Sequence, residues 1–81
     1  MIKLVSFLLL LNFSSTVNLG NYISENVKGK LDNYIIAPSL YERKVINYKP
    51  KDFEDFKKFL SFFCKVKILE SSQYTIFDES Q

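Results

Sequence analysis

Histidine and tryptophan are absent from this 81-residue chain, and cysteine occurs once, at Cys64. Each absence closes a route. Without histidine, the commonest general base and metal ligand is missing. A lone cysteine makes no disulfide within the chain and no zinc site without further ligands. Gly20 and Gly29 are the only glycines, so there is no glycine-rich phosphate loop. No serine stands beside a candidate base in a recognisable motif. The expectation is a protein that is not an enzyme and has no cofactor, metal or small-molecule substrate.

What is present bounds the class. Hydrophobic residues make up 47% of the chain and charged residues 25%, a balance that folds rather than stays disordered. The length fits one domain. Eight Phe and five Tyr accompany frequent Lys, Asn, Ile and Ser, while Ala37 is the single alanine. That bias points to an AT-rich genome, such as that of an organelle, a virus or a reduced parasite.

The N-terminal stretch supports two readings. Lys3, the apolar run Leu4 to Leu11, and Ser14-Ser15-Thr16 have the layout of a secretory signal peptide over about residues 1–16. The run is too short to cross a bilayer, which takes about 20 apolar residues, so no membrane span is expected. Against a cleaved leader stand the absence of disulfides, on which small secreted domains usually rely, and the loss of apolar material from a short chain. In the other reading, Ile2 to Phe7 is a buried central strand.

Net charge is +2, but the distribution is uneven. Lys28, Lys30, Arg43, Lys44, Lys49 and Lys51 face only Asp32 and Glu42 in the middle of the chain. Beyond Ile68 come Glu70, Asp78 and Glu79 with no cation. Tyr34, Tyr41 and Tyr48 are interleaved with the basic residues. Cations for phosphates and flat rings for stacking suit RNA. The plainer reading is a solvated hairpin whose lysines discourage edge pairing.

Periodicity sets out the elements. A helix capped by Asn12, Ser14 or Ser15 carries Leu19, Tyr22, Ile23 and Val27 and stops at Gly29. Tyr34 to Ala37 and Lys44 to Tyr48 read as an antiparallel pair joined through Pro38 to Arg43. Asp52 caps a second helix, with acids in its first turn and Lys65 and Lys67 at or past its end. Phe53, Phe56, Phe59, Leu60 and Phe63 share a stripe about 140° wide, expected to pack on the sheet. Glu54 and Lys58 stand at i,i+4. Phe62 lies off the stripe and is a candidate partner contact. Cys64 is expected to be a small buried hydrophobe. Val66 to Glu70 is a strand, and Tyr74 to Phe77 a return strand or arm. The order gives an α+β fold, a ferredoxin-like βαββαβ sandwich with an extended β-hairpin. It forms a single domain over residues 1–77, with an acidic tail over 78–81.

Four stretches then resemble one family, small-subunit ribosomal protein ten, which includes the transcription factor NusE. Ile2-Lys3-Leu4-Val5-Ser6-Phe7 resembles its opening I-R-L-K-S-F strand. Ile35-Ile36-Ala37-Pro38-Ser39-Leu40 resembles the G-P-I-P-L-P stretch leading into its hairpin. Lys44 to Tyr48 stands where the family has F-T-V-L-R, and Lys51 to Phe56 resembles K-S-R-E-Q-F. The family's basic R-T-H-K-R run is replaced here by Phe59-Leu60-Ser61-Phe62-Phe63, which has no positive charge.

The resemblance implies a structural RNA-binding component of a mitochondrial ribosomal small subunit. It would be localised to the mitochondrion and partnered by ribosomal RNA and neighbouring ribosomal proteins. The residues expected at RNA are Lys30, Tyr41, Arg43, Lys44, Lys49 and Lys51, with Phe62 at a protein neighbour. The alternatives are a small secreted or luminal interaction protein, and an accessory subunit of a larger complex docking through Phe62 and the apolar N-terminus.

Overall fold

Residues 16–80 are described by the structure, a computed structural model. The expected strand at Ile2 to Phe7, the caps at Asn12, Ser14 and Ser15, and the apolar run of the leader reading lie outside the described residues.

The first described element is strand β1, Thr16–Asn18. Its last residue ends the strand and opens helix α1, Leu19–Val27. Asn18 Oδ1 accepts from the Asn21 amide at 3.0 Å, satisfying one of the donors a helix start leaves unpaired. The side-chain amide of Asn18 also donates to the Tyr41 carbonyl. Gly29, at φ 78°, supplies the left-handed turn that ends the helix, as its position predicted.

Strand β2, Tyr34–Ile36, leads into a 3-10 turn over Pro38–Glu42, and strand β3, Lys44–Ile46, follows. The expected β-hairpin does not form here. Pro38 opens the turn, and buried Leu40 anchors it in the core, so the chain leaves the β2 direction. Strand β3 pairs antiparallel with β1, placing Val17 opposite Val45.

The second helix has two parts. Segment α2, Phe53–Lys58, is capped by Asp52, whose carboxylate accepts from the Asp55 amide at 2.8 Å. Glu54 and Asp55 occupy its first turn and Lys57 and Lys58 its last, matching the helix dipole. Lys57, not Lys58, takes the expected pairing with Glu54, at 3.0 Å, and also reaches Glu70 at 3.4 Å. The helix then widens into a π-helical turn, Phe59–Phe63, where the Cys64 amide bonds back to the Phe59 carbonyl. This widening revises the aromatic stripe. Phe56, Leu60 and Cys64 fall inward at intervals of four residues, while Phe63 is turned out, 63% exposed. Lys65 then takes a left-handed backbone (φ 58°) and starts strand β4, Val66–Glu70.

Strand β5, Thr75–Glu79, is the return strand of the two alternatives, antiparallel to β4, and it runs on through Asp78 and Glu79. It is the centre of a three-stranded sheet ordered β2-β5-β4, parallel to β2 and antiparallel to β4. Thr75 and Phe77 alternate inward. Asp78 lies opposite Lys67, so the acidic residues read as a tail extend the strand against a cation.

Among the described residues the chain is therefore a small α+β domain with two helices and two sheets. These strands do not join into the single antiparallel sheet of the ferredoxin-like order. The core gathers Leu19, Ile23 and Val27 of α1, Leu40, Phe56, Leu60 and Phe77, all 1% exposed or less. An aromatic ladder ties the helices together: Tyr22 meets Phe56 and Phe59 at ring separations of 5.8 and 5.7 Å, and Tyr48 stacks on Phe59 at 4.5 Å.

Candidate nucleic-acid interface

A cleft runs between helix α1 and the segment Asn47 to Asp52. It has two adjoining compartments, of about 390 and about 280 Å³, with Asn26, Lys49 and Pro50 in the walls of both. Lys30, Lys49 and Lys51 all line the smaller one, with Phe53 and Phe56 at its base and Asp52 the acid on its wall. Tertiary folding brings these lysines together across 21 positions, because Gly29 turns Lys30 back beside the loop that precedes α2. All three are exposed, and none is in an ion pair among the described residues. Three unpaired cations against the one acid Asp52 leave the groove net positive, which attracts phosphate.

The loop carrying Lys49 and Lys51 is held by a tyrosine–carboxylate clasp. Tyr48 Oη donates to Asp55 Oδ2 at 2.6 Å, and the Lys51 amide donates to the same oxygen at 2.9 Å. Tyr22 Oη donates to the Tyr48 carbonyl at 2.7 Å. The hydrogen bonds from Tyr48 and the Lys51 backbone hold the Asp55 carboxyl below the usual carboxylate range. The bond to Asp55 raises the Tyr48 phenol, and burial pushes Tyr22 well above the ordinary tyrosine value. The lysines therefore sit on an anchored segment and not on a free loop.

The other expected RNA contacts are elsewhere. Arg43 is committed to the fold: Nη1 donates to Glu79 at 2.8 Å and Nη2 to the Cys64 carbonyl. Its guanidinium is thus paired within the fold, about one-third exposed. Tyr41 is 40% exposed, and its ring covers the backbone of Gly20, where a methyl group would overlap it. Lys44 is exposed and lines a different groove, with Ile46 and Phe63. Phe62 is 78% exposed.

The larger compartment adds residues that charge reasoning passed over. Asn21, Glu25 and Asn26 line it from α1, and Asn47 lines it from the loop. The spacing of Asn21 with Glu25, and of Tyr22 with Asn26, is i,i+4, which puts all four on one helix face. That regularity was the available signal. Among the described residues no cluster of His, Cys, Asp or Glu is placed to hold a metal ion, and no helix is long and apolar enough to cross a membrane.

No family model, curated protein or solved structure matches this chain.

Proposed function

We propose that the chain is a non-catalytic RNA-binding protein that holds the sugar–phosphate backbone in the Lys30–Lys49–Lys51 cleft. The carrying observation is the convergence of these three exposed lysines on one wall system, with the clasp around Asp55 fixing two of them. Such contacts position a protein on RNA and carry little sequence information. Assembly into a mitochondrial ribosomal small subunit is the setting in which we place this activity, on the four sequence stretches resembling small-subunit ribosomal protein ten. The ferredoxin-like sandwich belongs to that proposal and rests on the same resemblance; the pairing of β2 with β5 departs from it.

The test is fluorescence anisotropy with an unstructured RNA oligonucleotide over a salt series. Three phosphate contacts on a single strand give a log–log salt slope of about −2. Charge reversal at Lys30, Lys49 and Lys51 should remove most of that slope and most of the binding. An affinity unchanged by the triple reversal overturns the reading. Co-sedimentation of the native protein with small ribosomal subunits, lost on nuclease treatment, tests the setting separately.

A second reading rests on the sequence: Lys3, the apolar run Leu4 to Leu11 and Ser14-Ser15-Thr16 have the layout of a leader, which would release a small exported interaction protein starting near Val17. N-terminal sequencing of the native protein separates the two: a start near Val17 removes the stretch Ile2 to Phe7 and with it the ribosomal setting.

A further inference from the structure

The cleft is chemically polarised along its length. At one end stand Lys30, Lys49 and Lys51. At the other stand Asn21, Asn47 and Glu25, and Asn26 and Lys49 border both compartments. The amides of Asn21 and Asn47 are exposed, and neither side chain makes a hydrogen bond among the described residues. Asn26 uses its amide nitrogen on the Tyr22 carbonyl at 2.9 Å, which leaves its Oδ1 open as an acceptor. At this end Glu25 is paired with Lys28 at 3.4 Å and stands with Lys49 on the walls, whereas the other end sets Lys30, Lys49 and Lys51 against Asp52 alone. The positive charge is therefore concentrated at the lysine end, and a phosphate is drawn there.

Amide and carboxylate side chains are the groups that read base edges: Asn pairs with adenine, and an acid accepts from the amino group of cytosine. The flat wall that a base also needs is supplied by Tyr48 and Pro50. Tyr48 is braced from behind by its stack on Phe59.

We infer that the cleft seats one unpaired nucleotide, its base in the compartment of Asn21, Asn26 and Asn47 and the backbone phosphates flanking it at Lys30, Lys49 and Lys51. This rests on the RNA reading above and adds to it a substrate class, single-stranded RNA with a splayed base. A duplex keeps its base edges paired and stacked, so it offers the lysine end phosphates but leaves the amide end empty.

The experiment measures anisotropy of labelled A, C, G and U homo-oligonucleotides, and of a duplex RNA of equal length, against the full chain. Three proteins are compared: the unaltered chain, N21A/N47A, and the triple lysine reversal. The unaltered chain should prefer its best single strand over both the duplex and its worst base by about five-fold or more, the low end of what one base-edge pairing supplies. N21A/N47A should lose that discrimination while keeping the salt slope. Both positions are exposed, so its circular dichroism should match that of the unaltered chain, and E25Q gives a second variant at the same end. Equal affinity for duplex and single strand, or discrimination that survives both amide-end variants, overturns the base seat while the phosphate reading stands. Binding indifferent to the lysine reversal overturns both. Competition by polyglutamate as strong as by RNA also overturns both, because it makes the cleft a site for acidic protein.

Discussion

Arg43 and Glu79, 36 positions apart, meet with Nη1 donating to Oε1 at 2.8 Å, and Ser39 donates to the second oxygen of the same carboxylate at 2.9 Å. The other arm of the guanidinium reaches the Cys64 carbonyl, one residue past the π-helical turn. One side chain thus joins the end of the 3-10 turn, the central strand and the end of the second helix. A planar fork suits this geometry better than a point charge.

Arg43→Ala should therefore act on stability and not on RNA. Charge-assisted hydrogen bonds carry about 1.5–3 kcal/mol when removed. The pair is about one-third exposed, so solvent screening reduces the expected loss to about 1–2 kcal/mol. Urea denaturation measures it, and Arg43→Lys should recover only part. The refolded variant should bind RNA as the unaltered chain does. A reduced affinity at unchanged stability would return Arg43 to the interface.

Gly20 and Tyr41 are coupled through a close approach. A methyl group at position 20 would stand 2.4 Å from Tyr41 Cδ1 and 2.5 Å from Cγ. These atoms lie at the root of the ring, so relief requires the whole ring to swing out. Alanine is favoured over glycine inside a helix by about 1 kcal/mol. Gly20→Ala alone should destabilise, and Gly20→Ala combined with Tyr41→Ala should be more stable than Tyr41→Ala alone. A double-mutant cycle by thermal denaturation reads the change of sign. Additive effects would mean the ring moves aside without cost.

Stability should be highest in a middle pH range, with an arm on each side. Tyr22 and Tyr48 keep their protons above the ordinary tyrosine pKa of about 10. Burial raises the Cys64 thiol against the opposing pull of Arg43. Above about pH 8.5, where free cysteine begins to ionise, the folded chain binds more protons than the unfolded one, and stability falls as pH rises. Asp55 works in the opposite direction. Its folded pKa is depressed, so its contribution is present above the ordinary carboxylate value of about 4 and is lost as pH falls. Denaturation midpoints across pH should show Tyr22→Phe flattening the alkaline arm and Asp55→Asn the acid arm. Tyr48→Phe should alter both, because its hydroxyl is one partner of the Asp55 bond.

Much of the local structure was legible because its causes are local. Asp52 before an acidic turn, Gly29 after a helical stripe, and the alternation of Val66 to Glu70 are short-range signals with short-range consequences, and the structure has all three. Phe62 stood off the apolar stripe and is exposed. The expectation that Phe63 packs inward assumed 3.6 residues per turn, and the π-helical turn at Phe59–Phe63 changed the phase. The lysines of the cleft were recognisable as cations, but not as neighbours. Periodicity carries no information about which distant segments meet.

The sequence by itself determined a small α+β class, a helix that stops at Gly29, a helix capped by Asp52, and a middle segment rich in cations. Each follows from side-chain size, charge and backbone preference within a few residues. The cap of the first helix is Asn18, not the earlier Asn12, Ser14 or Ser15. Tertiary structure alone decided that β3 pairs with β1, that β5 becomes a central strand, that Arg43 is consumed by Glu79, and that Lys30 joins Lys49 and Lys51. Strand pairing depends on which apolar faces can be closed together, and a cation stays unpaired only where folding brings no carboxylate within salt-bridge distance. Both are properties of the assembled core.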